Sequence, residues 1–121
     1  MYDDVYKYSL EIILQHTQVC RDRFSKIGSA NDFKDTEYGQ ILLDSIVTRL
    51  QAIGESLKNI SRKHNLLESN YPEIEWSKMI RFRDFISHHY EMLDYEIVYE
   101  ICNSKLPQLE QALRTELDKF K

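Results

Sequence analysis

Apolar residues recur along this 121-residue chain at alternating spacings of three and four, the period of one face of an α-helix. The spacing predicts a first helix from about Asp3 to Ser25 and a longer second helix that Asp35 or Thr36 would cap. The stripe on the second helix is the most regular of the chain: Leu43, Ile46, Leu50, Ile53, Leu57, Ile60, His64 and Leu67. A stripe of this kind is typical of the seam between helices of a left-handed bundle.

The second half of the chain predicts two or three more helices. The connection is Ser69 to Glu73, and a third helix should run from about Trp76 to His89. Asp94 is placed to cap a fourth helix that ends at residue 103 or 104, and Pro107 sits in the first turn of a last helix. We therefore predict an all-α fold, an antiparallel bundle of four to five helices that forms one domain over residues 1–121.

Composition agrees with few turns and long helices, since the chain has only three Gly and two Pro. No apolar run approaches the ~18 residues of a membrane span, and the acidic start MYDDVYKYSL does not resemble a secretory signal. We therefore expect no membrane association and a cytoplasmic location. Cys20 and Cys102 lie far apart without further ligand residues, so the sequence predicts buried structural thiols and no metal site.

A net charge of −4 argues against non-specific coating of nucleic acid. It does not exclude a local basic cleft, and Lys78, Arg81 and Arg83 could supply one on the third helix.

Chemistry concentrates in the segment Arg83-Asp84-Phe85-Ile86-Ser87-His88-His89-Tyr90. Arg83 keeps its charge at any physiological pH and can direct two N–H donors at a phosphate. His88 can accept and release a proton near neutrality. A cation that binds phosphate beside such an acid/base group is the minimum needed to cleave a phosphodiester without a metal.

A helical wheel separates these side chains into two pairs. Asp84 and His88 share one direction, Arg83 and Tyr90 share another, and the directions differ by roughly 140° on a straight helix. The four groups therefore cannot meet one phosphate from a single straight helix. Either the helix breaks near Ser87 and His88, or a second copy of the chain completes the site. His89 falls on the apolar side, which favours a structural role.

The segment resembles the signature of the HepT-like toxin branch of the HEPN ribonuclease superfamily. That branch carries Arg, a polar residue, three variable residues, His, one variable residue and Tyr. The order Tyr-Pro-Glu-Ile-Glu-Trp, the Arg83 segment, Asp94 and Leu106-Pro107-Gln108-Leu109 is similar to that branch across roughly residues 40–113, as is Gly54-Glu55. One position departs from it, because Asp84 stands where the branch usually has Asn.

The resemblance implies a homodimer whose motifs face each other across a cleft and which acts as a metal-independent endoribonuclease toxin without a cofactor. In it, Arg83 would stabilise charge on the RNA phosphate, His88 would act as general acid or base, and Asp84 would orient one of them. The implied partner is a minimal nucleotidyltransferase antitoxin that adenylylates Tyr90. Two alternatives stay open: a catalytically inactive all-α dimeric module that binds a nucleotidyltransferase, and a purely structural dimerisation bundle.

Overall fold

The computed structural model describes residues 2–63, 66–89 and 93–121. Within these ranges the chain is helical without any strand, so the all-α prediction is confirmed. None of the helices described there is both long and apolar enough to cross a membrane. The α-helices are α1 (Tyr2–Phe24), α2 (Asp32–Asp35), α3 (Glu37–Lys63), α4 (Leu66–Asn70), α5 (Trp76–His89), α6 (Tyr95–Glu100) and α7 (Leu106–Asp118).

Within the described ranges the bundle contains four long rods: α1, α3, α5 and the nearly continuous α6–α7. Neighbouring rods α1 and α7 are antiparallel, because Tyr6 near the start of α1 meets Glu116 near the end of α7. At the other end of α1, Arg21 meets Glu110 on α7. α3 packs between α1 and α5, so the rod that carries the charged motif is supported by the longest helix of the bundle.

The predicted apolar stripes are the buried faces of the helices. α3 is capped by Thr36, whose hydroxyl oxygen accepts a hydrogen bond from the backbone N–H of Gly39 at 2.9 Å. Leu43 is only half-buried, and His64 lies outside the described residues. The buried members of the α3 stripe are Ile46, Leu50, Ile53, Leu57 and Ile60.

The short helices α2 and α4 were not predicted, and α2 lies between the end of α1 and the start of α3. Phe33 holds α2 against the core, because its side chain is fully buried. The Asp32 carboxylate accepts hydrogen bonds from the backbone N–H groups of Gly28 and Ser29, which closes the preceding turn. One buried residue leaves no periodic pattern, so sequence periodicity alone could not show this helix.

The last rod differs from the prediction in a more informative way. Asp94 does cap α6, since its side chain accepts a hydrogen bond from the backbone N–H of Glu96 at 2.8 Å. The chain then continues without a break through a π-helical turn, Ile101–Lys105, into α7. Pro107 explains that turn, because proline has no N–H and its ring would clash with the carbonyl four residues earlier. The wider turn relieves that clash and keeps the rod continuous.

Both cysteines are buried and unbridged, which confirms the prediction of structural thiols. Burial raises the pKa of the Cys20 thiol to about 12, and it raises the pKa of Cys102 further still. Neither thiol is ionised near neutral pH.

A buried carboxylate ties three parts of the bundle together. Glu116 on α7 is almost fully buried, and its carboxylate accepts hydrogen bonds from the hydroxyl groups of Tyr6 and Tyr71 at 3.0 and 3.2 Å. The amide of Asn70 and the ammonium of Lys119 complete its surroundings at 3.4 and 2.8 Å. We call these five residues the Glu116 cluster. It joins α1, the α4–α5 connection and α7 at one end of the bundle.

Candidate functional site

The two helices that build the candidate site cross at Gly54, in the middle of α3. A Cβ atom placed on Gly54 would lie 2.4 Å from the Cβ atom of Arg83 and 3.4 Å from the carbonyl oxygen of Met79. Only a glycine lets the backbone of α5 come this close. Gly54 therefore admits the backbone of α5, and the crossing brings the motif arginine onto the surface of α3.

Arg83 is held by two carboxylates, one from each helix. Its Nη2 atom lies 2.6 Å from Oε2 of Glu55 on α3, and its Nη1 atom donates a hydrogen bond to Oδ1 of Asp84 at 2.8 Å. Within the described residues no aligned N–H reaches Glu55 Oε2, so the Glu55 contact is an ion pair rather than a directed hydrogen bond. The Arg83 side chain as a whole is 27% exposed, so it is only partly open to solvent.

Lys58 adds a second cation to this group. Its Nζ atom lies 3.9 Å from Asp84 Oδ1, so Asp84 is shared between Arg83 and Lys58. Two cations and two carboxylates alternate here, and their formal charges cancel. We call Glu55, Lys58, Arg83 and Asp84 the Arg83 cluster. A phosphate would bind it by displacing one of the carboxylates rather than by filling an empty cationic pocket.

Sequence reasoning named Arg83 and Asp84 but assigned no role to Glu55 or Lys58. Lys58 is not marked by a motif and Glu55 only by the resemblance at Gly54-Glu55, because the position of both depends on the crossing at Gly54 and not on any spacing along α3. Gly54 itself, a glycine inside a long helix, was a further sequence signal.

The structure describes His88 of the motif by its backbone alone and does not describe Tyr90. The backbone of α5 continues as α-helix through His89, so the helix does not break at Ser87 and His88. The side chains of His88 and His89 lie outside the part of the chain that the structure describes, as does Tyr90 altogether. By its register on α5, His88 follows Asp84 by one turn and lies about 7.5 Å along the axis from Arg83.

The basic residues expected around the motif do not gather beside Arg83. Lys78 pairs with Glu75 at 2.6 Å, and it is well exposed. Arg81 is exposed and lies roughly 160° from Arg83 on the wheel of α5. The cation that does accompany Arg83 is Lys58, from the neighbouring helix.

The start of α5 is anchored firmly, which fixes the position of the rod. The indole N–H of Trp76 donates a hydrogen bond to the carbonyl oxygen of Tyr71 at 2.8 Å, and the Trp76 ring is buried. Just before it, Glu75 receives Lys105 from the π-helical turn at 2.6 Å. Hydrogen bonds from Lys105 and Lys78 lower the pKa of the Glu75 carboxyl to about 2, so this anchor is charged over the physiological range.

Comparison with known proteins finds relatives along most of the chain. A protein of Caldanaerobacter subterraneus subsp. tengcongensis named "Putative RNase" is 30% identical over 112 residues, which is 93% of this chain and 94% of that protein. One of the same name from Methanocaldococcus jannaschii is 35% identical over 63 residues, and the match covers half of its length. A "Probable ribonuclease HepT" from Thermococcus cleftensis is 32% identical over 65 residues, 54% of this chain and 56% of that protein.

No solved structure matches the chain. A family model does, however, match it from residue 6 to residue 116, a range that includes α3, α5 and the whole Arg83 cluster. The description of that model is "Ribonuclease HepT-like". On this match and on the Caldanaerobacter relative, the chain belongs to the HepT-like family of the HEPN superfamily.

Proposed function

We propose that this protein is a metal-independent endoribonuclease whose reaction is carried out by Arg83 and His88. The observation that carries the proposal is the position of Arg83. Gly54 fixes it at the crossing of α3 and α5, its side chain is partly exposed, and His88 follows on the same continuous helix. The family to which the chain belongs, and the ribonuclease names of its relatives, support the same chemistry.

The proposed reaction uses the 2′-hydroxyl of RNA as its nucleophile. His88 removes the proton of that hydroxyl, and the oxygen attacks the adjacent phosphorus. Arg83 stabilises the added negative charge on the phosphorane through its forked N–H donors. The P–O5′ bond then breaks, a protonated imidazole donates a proton to the leaving oxygen, and a 2′,3′-cyclic phosphate remains. DNA lacks the 2′-hydroxyl, so we expect it not to be cut.

The proposed active form is a homodimer. Positions 83 and 88 lie roughly 140° apart around one straight helix, and α5 does not break between them. A two-fold axis could bring Arg83 of one protomer and His88 of its partner to the same phosphate. This arrangement leaves the helix intact and still gives each phosphate both groups.

We further propose that the protein is the toxin of a toxin–antitoxin pair and that a minimal nucleotidyltransferase silences it at Tyr90. In the proposed step the phenolic oxygen of Tyr90 attacks the α-phosphorus of ATP, and pyrophosphate leaves. The AMP that remains on the tyrosine adds bulk and negative charge to the site. Intact mass after co-expression with the nucleotidyltransferase should rise by one or more AMP units, and Tyr90→Phe should prevent this. A wild-type toxin that is neutralised without any mass gain would refute the covalent mechanism.

The central test is RNA cleavage by the purified protein and by three variants. His88→Ala should abolish cleavage while the melting temperature is kept. Arg83→Lys should also be severely impaired, because an ammonium cannot reproduce the planar fork. Arg114→Lys on α7, an arginine that is likewise paired with a glutamate, is the matched control and should stay active. Full activity of His88→Ala with an unchanged melting temperature would remove His88 from the mechanism.

One observation favours a second candidate function, a catalytically inactive module that binds a nucleotidyltransferase. Both terminal nitrogens of Arg83 already face carboxylates, and Asp84 is one of them. In this alternative the protein would co-purify with the nucleotidyltransferase but leave RNA intact. Cleavage of RNA that is lost in His88→Ala would exclude it.

A further inference from the structure

A second group of arginines lies in the groove between α1 and α3, away from the Arg83 cluster. Arg49 on α3 lies with its Nη1 atom 3.0 Å from Nδ1 of His16 on α1. One turn earlier on α3, the hydroxyl of Ser45 contacts a terminal nitrogen of Arg23, also on α1. We call these four residues the α1–α3 groove. All four side chains are half-buried.

The arginines of this groove differ from the other paired arginines by their partners. Arg21 and Arg114 both bind Glu110, and Arg83 faces two carboxylates. Arg23 and Arg49, in contrast, contact a hydroxyl and an imidazole, and in the described part of the chain neither makes an ion pair with a carboxylate.

The acid next to Arg23 in sequence does not neutralise this charge, since Asp22 lies near Lys26 at 3.9 Å. Burial, together with the charge of Arg49, lowers the pKa of His16, so the imidazole is neutral at pH 7 and accepts the N–H of Arg49. Two partly desolvated cations without a counter-charge are costly in a folded protein unless an anion from outside compensates them.

We propose that the α1–α3 groove binds a backbone phosphate of the RNA strand at a distance from the cleaved bond. The inference rests on the proposed function for the identity of its ligand. Two guanidinium groups and a hydroxyl supply the planar, multiple donors that suit a phosphate. Arg49 lies on the same helix as Glu55, about 9 Å before it along the axis and about 120° from it around the axis. A strand bound at Arg83 would therefore pass around α3 over several more nucleotides to reach this groove.

The experiment measures binding, not cleavage, of a 2′-O-methyl RNA of about 12 nucleotides, which cannot supply the 2′-oxygen nucleophile. Arg23→Gln, Arg49→Gln and the double variant are compared with Arg114→Gln as the matched control. We expect the double variant to bind at least tenfold more weakly at low salt. The slope of log K against log salt concentration should become shallower by roughly 0.7 to 1 for each phosphate contact that is lost. Arg114→Gln should leave both quantities unchanged.

Two further probes make the assignment specific. A 2′-O-methyl trinucleotide is too short to reach both regions, so Arg49→Gln should leave inhibition of cleavage by this probe unchanged. Arg49→Lys should keep the salt slope, because the charge remains, and should lose part of the affinity.

A poly-glutamate peptide should compete poorly with the RNA. Competition by this peptide at equal charge concentration would instead identify an acidic protein segment as the ligand and overturn the proposal.

The outcomes separate this inference from the proposed function. The double variant could cleave RNA with unchanged affinity, salt slope and melting temperature. That result would overturn the proposed phosphate site in the groove and leave the proposed ribonuclease function standing. Binding that depends on Arg23 and Arg49 in a protein that cuts no RNA would support the groove and overturn the ribonuclease. A wild-type protein that does not bind the RNA probe would overturn the groove directly.

Discussion

The Glu116 cluster and the Arg83 cluster are each centred on a charged side chain, but they are organised in opposite ways. In the first, four donors converge on one carboxylate whose side chain is 4% exposed. In the second, two cations and two carboxylates alternate, and their side chains are 27% to 46% exposed. A buried carboxylate that receives hydrogen bonds from several donors favours one fixed arrangement of the surrounding side chains. Exposed pairs contribute little stability and can exchange partners at low cost, which suits the proposed binding of a phosphate.

Removing the central acceptor of the Glu116 cluster should have the largest effect on stability. Glu116→Ala should lower the free energy of unfolding by about 3 kcal/mol, because buried donors lose a charged partner. Denaturant unfolding at a fixed protein concentration measures this, since assembly would make the stability concentration-dependent. Activity per folded molecule should change little. A loss below about 0.5 kcal/mol, the range of ordinary surface substitutions, would mean that the cluster is not a structural tie.

Acid titration tests the same cluster through its charge. Burial alone would raise the pKa of the Glu116 carboxyl, but hydrogen bonds from Lys119 and Tyr6 outweigh it and hold that pKa below its usual value. A depressed folded-state pKa gives stability that is present above the unfolded pKa, about 4.5, and is lost as the pH falls through the folded pKa. Unfolding of Glu116→Gln between pH 5 and pH 3 should therefore depend less steeply on pH than that of the wild type. Parallel curves for the two proteins would contradict this.

The Arg83 cluster should respond in affinity rather than in stability. Glu55→Gln removes the carboxylate that faces Nη2 of Arg83, so an RNA phosphate no longer competes with that charge. We expect KM to fall several-fold, kcat to stay within a factor of about two, and the stability to change by less than about 1 kcal/mol. Glu68→Gln on α4 is the control for a single change of surface charge. A large drop in kcat would show instead that Glu55 orients Arg83 for the reaction.

The smallest effect is expected at Asp84. Asp84→Asn supplies the residue that is usual in this branch of the family, and its carbonyl can still accept a hydrogen bond from Arg83. Cleavage should be kept or rise modestly, and Lys58 should lose its ion pair without consequence for folding. A steep fall in activity would instead show that the Asp84 carboxylate takes part in catalysis. Each cluster would then depend on one carboxylate that an amide cannot replace.

The helices of this protein could be predicted well where they are long and periodic. The bounds expected for α5 match the structure, and the cap at Asp94 is confirmed. The continuity of α6 with α7 could not be predicted, because a proline such as Pro107 usually marks the first turn of a new helix. Here the π-helical turn before it lets the preceding helix continue. In the candidate site, Arg83 and Asp84 could be named from their motif, but Lys58 lies 26 positions before Asp84. Its contact depends on how closely two helices cross, which periodicity does not determine.

Gly54 contributes no atom to any proposed chemical step, yet it restricts how the protein can change. Any larger side chain at this position would meet the Cβ atom of Arg83. Relief would require α5 to move outward and to carry the arginine with it. The position of the arginine is therefore tied to a glycine 29 positions earlier in the chain. A side chain at position 54 should displace the arginine together with α5, so packing and the proposed chemistry are coupled through a single missing methyl group.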